Sequence, residues 1–136
     1  MSFLFVARAV FFFLLAAVAF LTLTPNPDDV EASLDFGRWI AQSLFGDASL
    51  GDKVGHFLAY AALGAAAALA QIRIARSGRW TILALMLYGA ALEGVQGLGG
   101  VRDASVIDGL ADGLGALAGY PACALLVAYS RSKAGA

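Results

Sequence analysis

Residues 54–72 read VGHFLAYAALGAAAALAQI, nineteen positions without an Asp, Glu, Lys or Arg. A membrane-crossing helix needs about 20 mainly apolar residues, because each residue advances it ~1.5 Å through a hydrocarbon layer ~30 Å thick. The run therefore predicts a transmembrane helix, and the pattern recurs on both sides of it. Charge-free stretches also cover 9–27, 80–92 and 113–130. The stretch from 80 is short, but a helical reading continues through Glu93 and Gln96 to 98. A span that takes in a carboxylate that deep usually faces a polar interior. The predicted spans are 3–24, 53–73, 80–98 and 106–129. They make residues 1–136 one all-α domain, a polytopic membrane protein with four transmembrane helices in one bundle.

Composition agrees. The chain has 136 residues, 60% hydrophobic and 14% charged, against roughly 45–50% and about 25% in a soluble domain. A net charge of −1 argues against a nucleic-acid partner, which needs a positive face to neutralise phosphates. The single cysteine, Cys123, lies in an apolar run, so an internal disulfide or a CxxC pair is excluded and a packing role is expected.

The first span should stop before Pro25, whose ring opposes a continuing helix. Arg8, the apolar run 9–21 and Ala17-Val18-Ala19 also resemble a secretory signal, but the run outlasts a signal's 7–15-residue centre, so a retained span is the expectation. In the segment 28–46, Val30, Leu34, Ile40, Leu44 and Phe45 share a helical face and Glu31, Asp35 and Arg38 lie away from it. This reads either as an external amphipathic helix at the membrane surface, with Phe36 and Trp39 as anchors, or as an ordered loop packed over the bundle. Pro121 should kink the last span. Trp80 reads as an interfacial anchor.

Basic residues set the orientation. Arg8, Arg73, Arg76, Arg79, Arg131 and Lys133 fall on one side of a four-span arrangement with no acid, while Arg38, Lys53 and Arg102 share the other side with all ten acids. The positive-inside rule then puts both termini in the cytoplasm. Counting from the arginines at ~1.5 Å per residue places His56, Glu93, Gln96 and Asp112 in one layer ~21–29 Å away, near the outer surface. Asp52, Lys53, Arg102 and Asp108 lie slightly above it. Asp52, His56 and Tyr60 step by four, as do Asp108 and Asp112, so each set shares a face. Gly109 with Gly113, and Gly115 with Gly119, are small-residue pairs that allow close helix packing.

The stretch Asp52-Lys53-Val54-Gly55-His56-Phe57-Leu58-Ala59-Tyr60, then Glu93-Gly94-Val95-Gln96, then Arg102, Asp108, Asp112, Gly115 and Gly119 together resemble the VanZ-like family of small bacterial membrane proteins. That family's pattern is a D-K-x-x-H-F-x-x-Y helix, E-x-x-Q, then R, D, N, G and G at similar spacings. The resemblance covers about 52–119. Asp112 departs from it, standing where the family usually has Asn, which adds an ionisable group and removes an amide donor. The resemblance implies a multi-pass protein of the bacterial inner membrane, related to one associated with teicoplanin resistance, and supplies no reaction.

Several uses fit the polar layer. It can be an internal network that locks the helices, since charges in a membrane must be paired or watered. It can be a site for a membrane lipid headgroup or a lipid-linked envelope ligand, with Lys53 and Arg102 for phosphate or carboxylate and His56, Glu93, Asp108 and Asp112 as acceptors. The acidic surplus would also admit a cationic group or a divalent metal bridging to phosphate. A general-base role for His56 is weaker, because Ser105, the nearest nucleophile, reads more naturally as a helix cap. One histidine without a nearby cysteine is a poor zinc set, and no resident metal or cofactor is expected. The alternative of a different class is a small accessory subunit that packs into a larger membrane protein complex through its apolar faces, including aromatic-rich 3–24.

Overall fold

In the computed structural model, residues 2–24, 31–99 and 105–134 are described. Their regular elements are all helical: α1 (Phe3–Leu23), α2 (Glu31–Phe45), a short 3-10 turn (Ala48–Leu50), α3 (Gly51–Leu69), α4 (Gly78–Gly99) and α5 (Val106–Ala134). Three of them, α1, α4 and α5, are long and apolar enough to cross a membrane. The charged residues Asp52 and Lys53 and the polar His56 occupy the first turns of α3, which lowers its apolarity.

α3 is the hub. It runs parallel to α5, with Lys53 beside Asp108 and His56 beside Asp112. Contact between the two is backbone to backbone. A Cβ on Gly115 would collide with the Phe57 carbonyl, one on Gly119 with the Ala61 carbonyl, and one on Gly64 would come within 2.8 Å of the Tyr120 nitrogen. Close approach of this kind multiplies van der Waals contact where no hydrophobic effect drives helices together. Gly113 faces Met86 of α4, but a Cβ on Gly109 would meet nothing within 4 Å. Six residues before Gly115, Gly109 is turned away from the seam with α3.

α4 is antiparallel to α5, with Gly89 opposite Asp112 and Gly78 under the Tyr120 ring. α1 lies parallel to α4, where Tyr88 donates to the Leu15 carbonyl (2.7 Å) and Gln96 Nε2 to the Thr22 carbonyl (2.9 Å). Its other end meets the end of α3, where Arg8 Nε donates to the Ala70 carbonyl. Only Ala7 and Phe11 of α1 are buried; Phe3, Phe5, Phe12, Phe13 and Phe20 point outward.

Three boundaries differ from the sequence reading. α3 stops at Leu69 rather than 73, because the chain reverses through Gln71, Ala75 and Arg76 with positive φ. The reversal is held by Thr81, whose hydroxyl donates to the Ile72 carbonyl and accepts from the Ile74 N–H, and by the Tyr120 hydroxyl on the same carbonyl. α4 consequently begins at Gly78. α5 continues past 129 to Ala134 and contains Pro121 without ending there.

α2 packs on α3 along an edge that only partly overlaps the predicted face, of which Leu34 and Ile40 are half-buried. Its buried edge is Gly37 and Ala41, while Leu44 and Phe45 are exposed. A Cβ on Gly37 would strike the Gly51 carbonyl and one on Gly51 would come within 2.6 Å of the Arg38 nitrogen. Phe36 and Trp39 stack on each other on the exposed side, ring centroids 6.3 Å apart. Residues 28–30 of the predicted segment lie outside the described residues. Between α2 and α3, the Asp47 carboxylate accepts the Ser49 N–H (2.9 Å), which caps the turn and holds that carboxyl below its ordinary range.

Candidate functional site

The parallel register of α3 and α5 brings the predicted polar residues together at one end of the molecule. Lys53 Nζ forms an ion pair with Asp108 Oδ1 at 2.6 Å and donates to Asp52 Oδ2 at 3.1 Å. One turn further along, His56 Nδ1 and Asp112 Oδ1 share a hydrogen bond of 2.9 Å, and His56 Nε2 lies 4.0 Å from Asp52 Oδ1. Asp112 is only 1% exposed. A carboxylate so deeply buried needs a partner, since desolvating an isolated charge still costs several kcal/mol after relaxation.

Glu93 enters from α4 and is 7% exposed. Its Oε2 accepts the backbone N–H of Ser105 (3.1 Å), so it ties α4 to the residue that caps α5. Ser105 Oγ in turn accepts from the Asp108 N–H (3.3 Å), the arrangement expected of an N-cap serine. Glu93 Oε1 is buried without a hydrogen-bond partner among the described residues, and so is the Tyr60 hydroxyl, on a side chain 2% exposed. Gln96 is buried and turned toward α1 rather than toward the acids. Arg102 lies outside the described residues.

The arrangement is acidic. Among the described residues of this end, Asp52, Glu93, Asp108 and Asp112 face Lys53 and His56. An imidazole nitrogen of His56 and one carboxylate oxygen each of Glu93 and Asp112 lie within 4.8 Å of one another; Asp52, His56 and Asp108 form a second such group.

Beside this cluster lies a cavity of about 340 Å³ between α1, α2, α3 and α4. Val18, Leu21, Leu34, Phe36, Leu58 and Ala59 supply apolar wall, and Thr22, Asp52, His56, Tyr60 and Gln96 the polar part. Gly55 also lines it, and a Cβ there would meet nothing within 4 Å. An apolar cavity with a few convergent polar groups is the usual form of a small-ligand site.

Gly89 was not among the residues singled out from the sequence. A Cβ at this position would lie 2.6 Å from Asp112 Oδ2 and 3.0 Å from the Tyr60 hydroxyl. Its signal was present, because Gly89, Glu93 and Gln96 step by four and three along one helical face. The α1 and α2 walls of the cavity carried no such signal, because their apolar residues are indistinguishable in sequence from lipid-facing ones. Comparison of the chain with protein families, curated proteins and solved structures finds no match.

Proposed function

We propose that the chain is a VanZ-like, four-span protein of the bacterial inner membrane whose polar end lies in the outer leaflet and binds a lipid headgroup or a lipid-linked envelope ligand. The cavity carries this reading. Its apolar wall on α1 and α2 suits an acyl or prenyl chain, and its polar wall, with Asp52, His56 and Gln96, suits the headgroup above it. α3 is the fourth span on this reading: its charged first turns are paired with α5, which lowers the cost of holding them near the hydrocarbon. The orientation rests on charge. Arg8 meets the end of α3 beside the loop of Arg73, Arg76 and Arg79, which the positive-inside rule assigns to the cytoplasm with both termini. Binding is favoured over catalysis because Ser105 Oγ is engaged as a helix cap.

Native mass spectrometry of the detergent-solubilised protein, compared with Gly55→Leu, tests the proposal. Its Cβ would meet nothing within 4 Å and the rest of the side chain would take up cavity space, so the variant should fold and lose a co-purified lipid that the parent retains. Equal lipid retention by both would count against the cavity as the site. Stoichiometric co-purification of another membrane protein, with no lipid, would instead support the accessory-subunit reading, to which the outward phenylalanines of α1 offer a surface.

A further inference from the structure

We propose that His56, Glu93 and Asp112 bind one divalent cation of the Mn²⁺ or Zn²⁺ class. The inference is independent of the headgroup reading. The three residues come from α3, α4 and α5, and one ligand atom from each lies within 4.8 Å of the others. Donors about 2.0–2.2 Å from a shared ion are separated by up to about 4.4 Å, so small side-chain movements would close the set.

Two observations single out this trio. First, charge is unevenly shared. Lys53 is committed to Asp52 and Asp108, so among the described residues no lysine or arginine pairs with Glu93 or Asp112. Glu93 receives only the neutral Ser105 N–H, and its Oε1 is buried without a hydrogen-bond partner among the described residues. Second, the Tyr60 hydroxyl is buried and lacks a hydrogen-bond partner among the described residues, yet it and Asp112 Oδ2 both border the space left open by Gly89. A phenol aimed at the cluster can donate to a water or anion held by the ion.

The donor set chooses the metal. An imidazole nitrogen suits first-row transition ions and carboxylates suit Mn²⁺ and Mg²⁺, so one nitrogen with two carboxylates favours Mn²⁺ or Zn²⁺ over Ca²⁺, which takes six to eight oxygens. Entry is through the cavity, whose wall includes both His56 and Tyr60.

The test uses the full chain in detergent, stripped with a chelator and titrated with MnCl₂ while free Mn²⁺ is followed by electron paramagnetic resonance. The expected result is one ion per chain, displaced by Zn²⁺. Glu93→Gln keeps an oxygen for the Ser105 N–H and should fold, while its Mn²⁺ affinity drops about 100-fold or more. Thermal melting supplies a second readout: Mn²⁺ should raise the Tm of the parent and leave that of Glu93→Gln unchanged. Asp35→Asn, on the exposed side of α2, should behave as the parent. No Mn²⁺ or Zn²⁺ binding at 1 mM by a folded parent, or equal binding by parent and Glu93→Gln, would overturn the proposal and leave the trio a hydrogen-bond network.

Discussion

At Gly89 the lack of a side chain leaves the room in which Asp112 and Tyr60 sit. Asp112 cannot easily retreat, because His56 holds its other oxygen at 2.9 Å. Gly89→Ala should therefore lower stability by about 1–3 kcal/mol, the usual cost of overpacking a tight interior. Gly94→Ala, on the exposed side of the same helix with nothing within 4 Å of the new methyl, should be neutral or stabilising by up to ~1 kcal/mol. Thermal melts of both variants in one detergent check the pair, and equal losses would show that helix propensity rather than the cluster sets the outcome. At this scale much of the site was legible: His56, Asp112, Lys53 and Asp108 are ionisable groups spaced by helical turns in otherwise apolar sequence. What escaped was the partner choice, Lys53 with Asp108 and His56 with Asp112, since that depends on the register between two helices far apart in the chain.

Among the elements, the α3–α5 seam has the strictest requirement. Gly119→Ala would drive a methyl into the Ala61 carbonyl, a backbone group that cannot rotate away, so the helices would have to separate. A loss of more than about 2 kcal/mol is expected, whereas Gly109→Ala, with open space around it, should leave stability within ~1 kcal/mol of the parent. Chemical denaturation followed by circular dichroism distinguishes the two. A result in which Gly109→Ala is the more damaging would mean that the seam lies elsewhere. The glycine steps on α5 made such a seam visible in sequence, but not which pair would form it. The docking of α2 was hidden for a different reason. Amphipathic patterning looks for large apolar residues, and α2 is held by Gly37 and Ala41, whose value lies in being small. The end of α3 was hidden too, because Gln71 and Arg76 carry no marker of the left-handed backbone they adopt.

For the molecule as a whole, the antiparallel order of α1, α3 and α4 gathers one end for cations and the other for carboxylates. With Cys123 replaced by Ser, the chain has no cysteine and single reporters can be installed. Ala48→Cys, in the exposed turn before α3, should react with a membrane-impermeant maleimide in intact cells. Ser132→Cys, near the exposed end of α5, should react only after permeabilisation. The reverse pattern would invert the topology, and labelling of both from outside would require an even number of spans between them and so rule out the three proposed. Charge asymmetry was legible in the sequence, because counting arginines requires no structure. The cavity was not, since four helices contribute to its wall and its volume exists only after they meet.

The central position of α3 also bears on how the chain is made. Its charged beginning finds its partners Asp108 and Asp112 only on α5, more than fifty residues later in synthesis. Under the four-span reading, the nascent α3 reaches the membrane with Asp52 as its own counter-charge, and Asp108 and Asp112 join it only when α5 follows. A chain interrupted in the α4–α5 loop would then leave α3 without the helix that pairs its charges and meets its backbone.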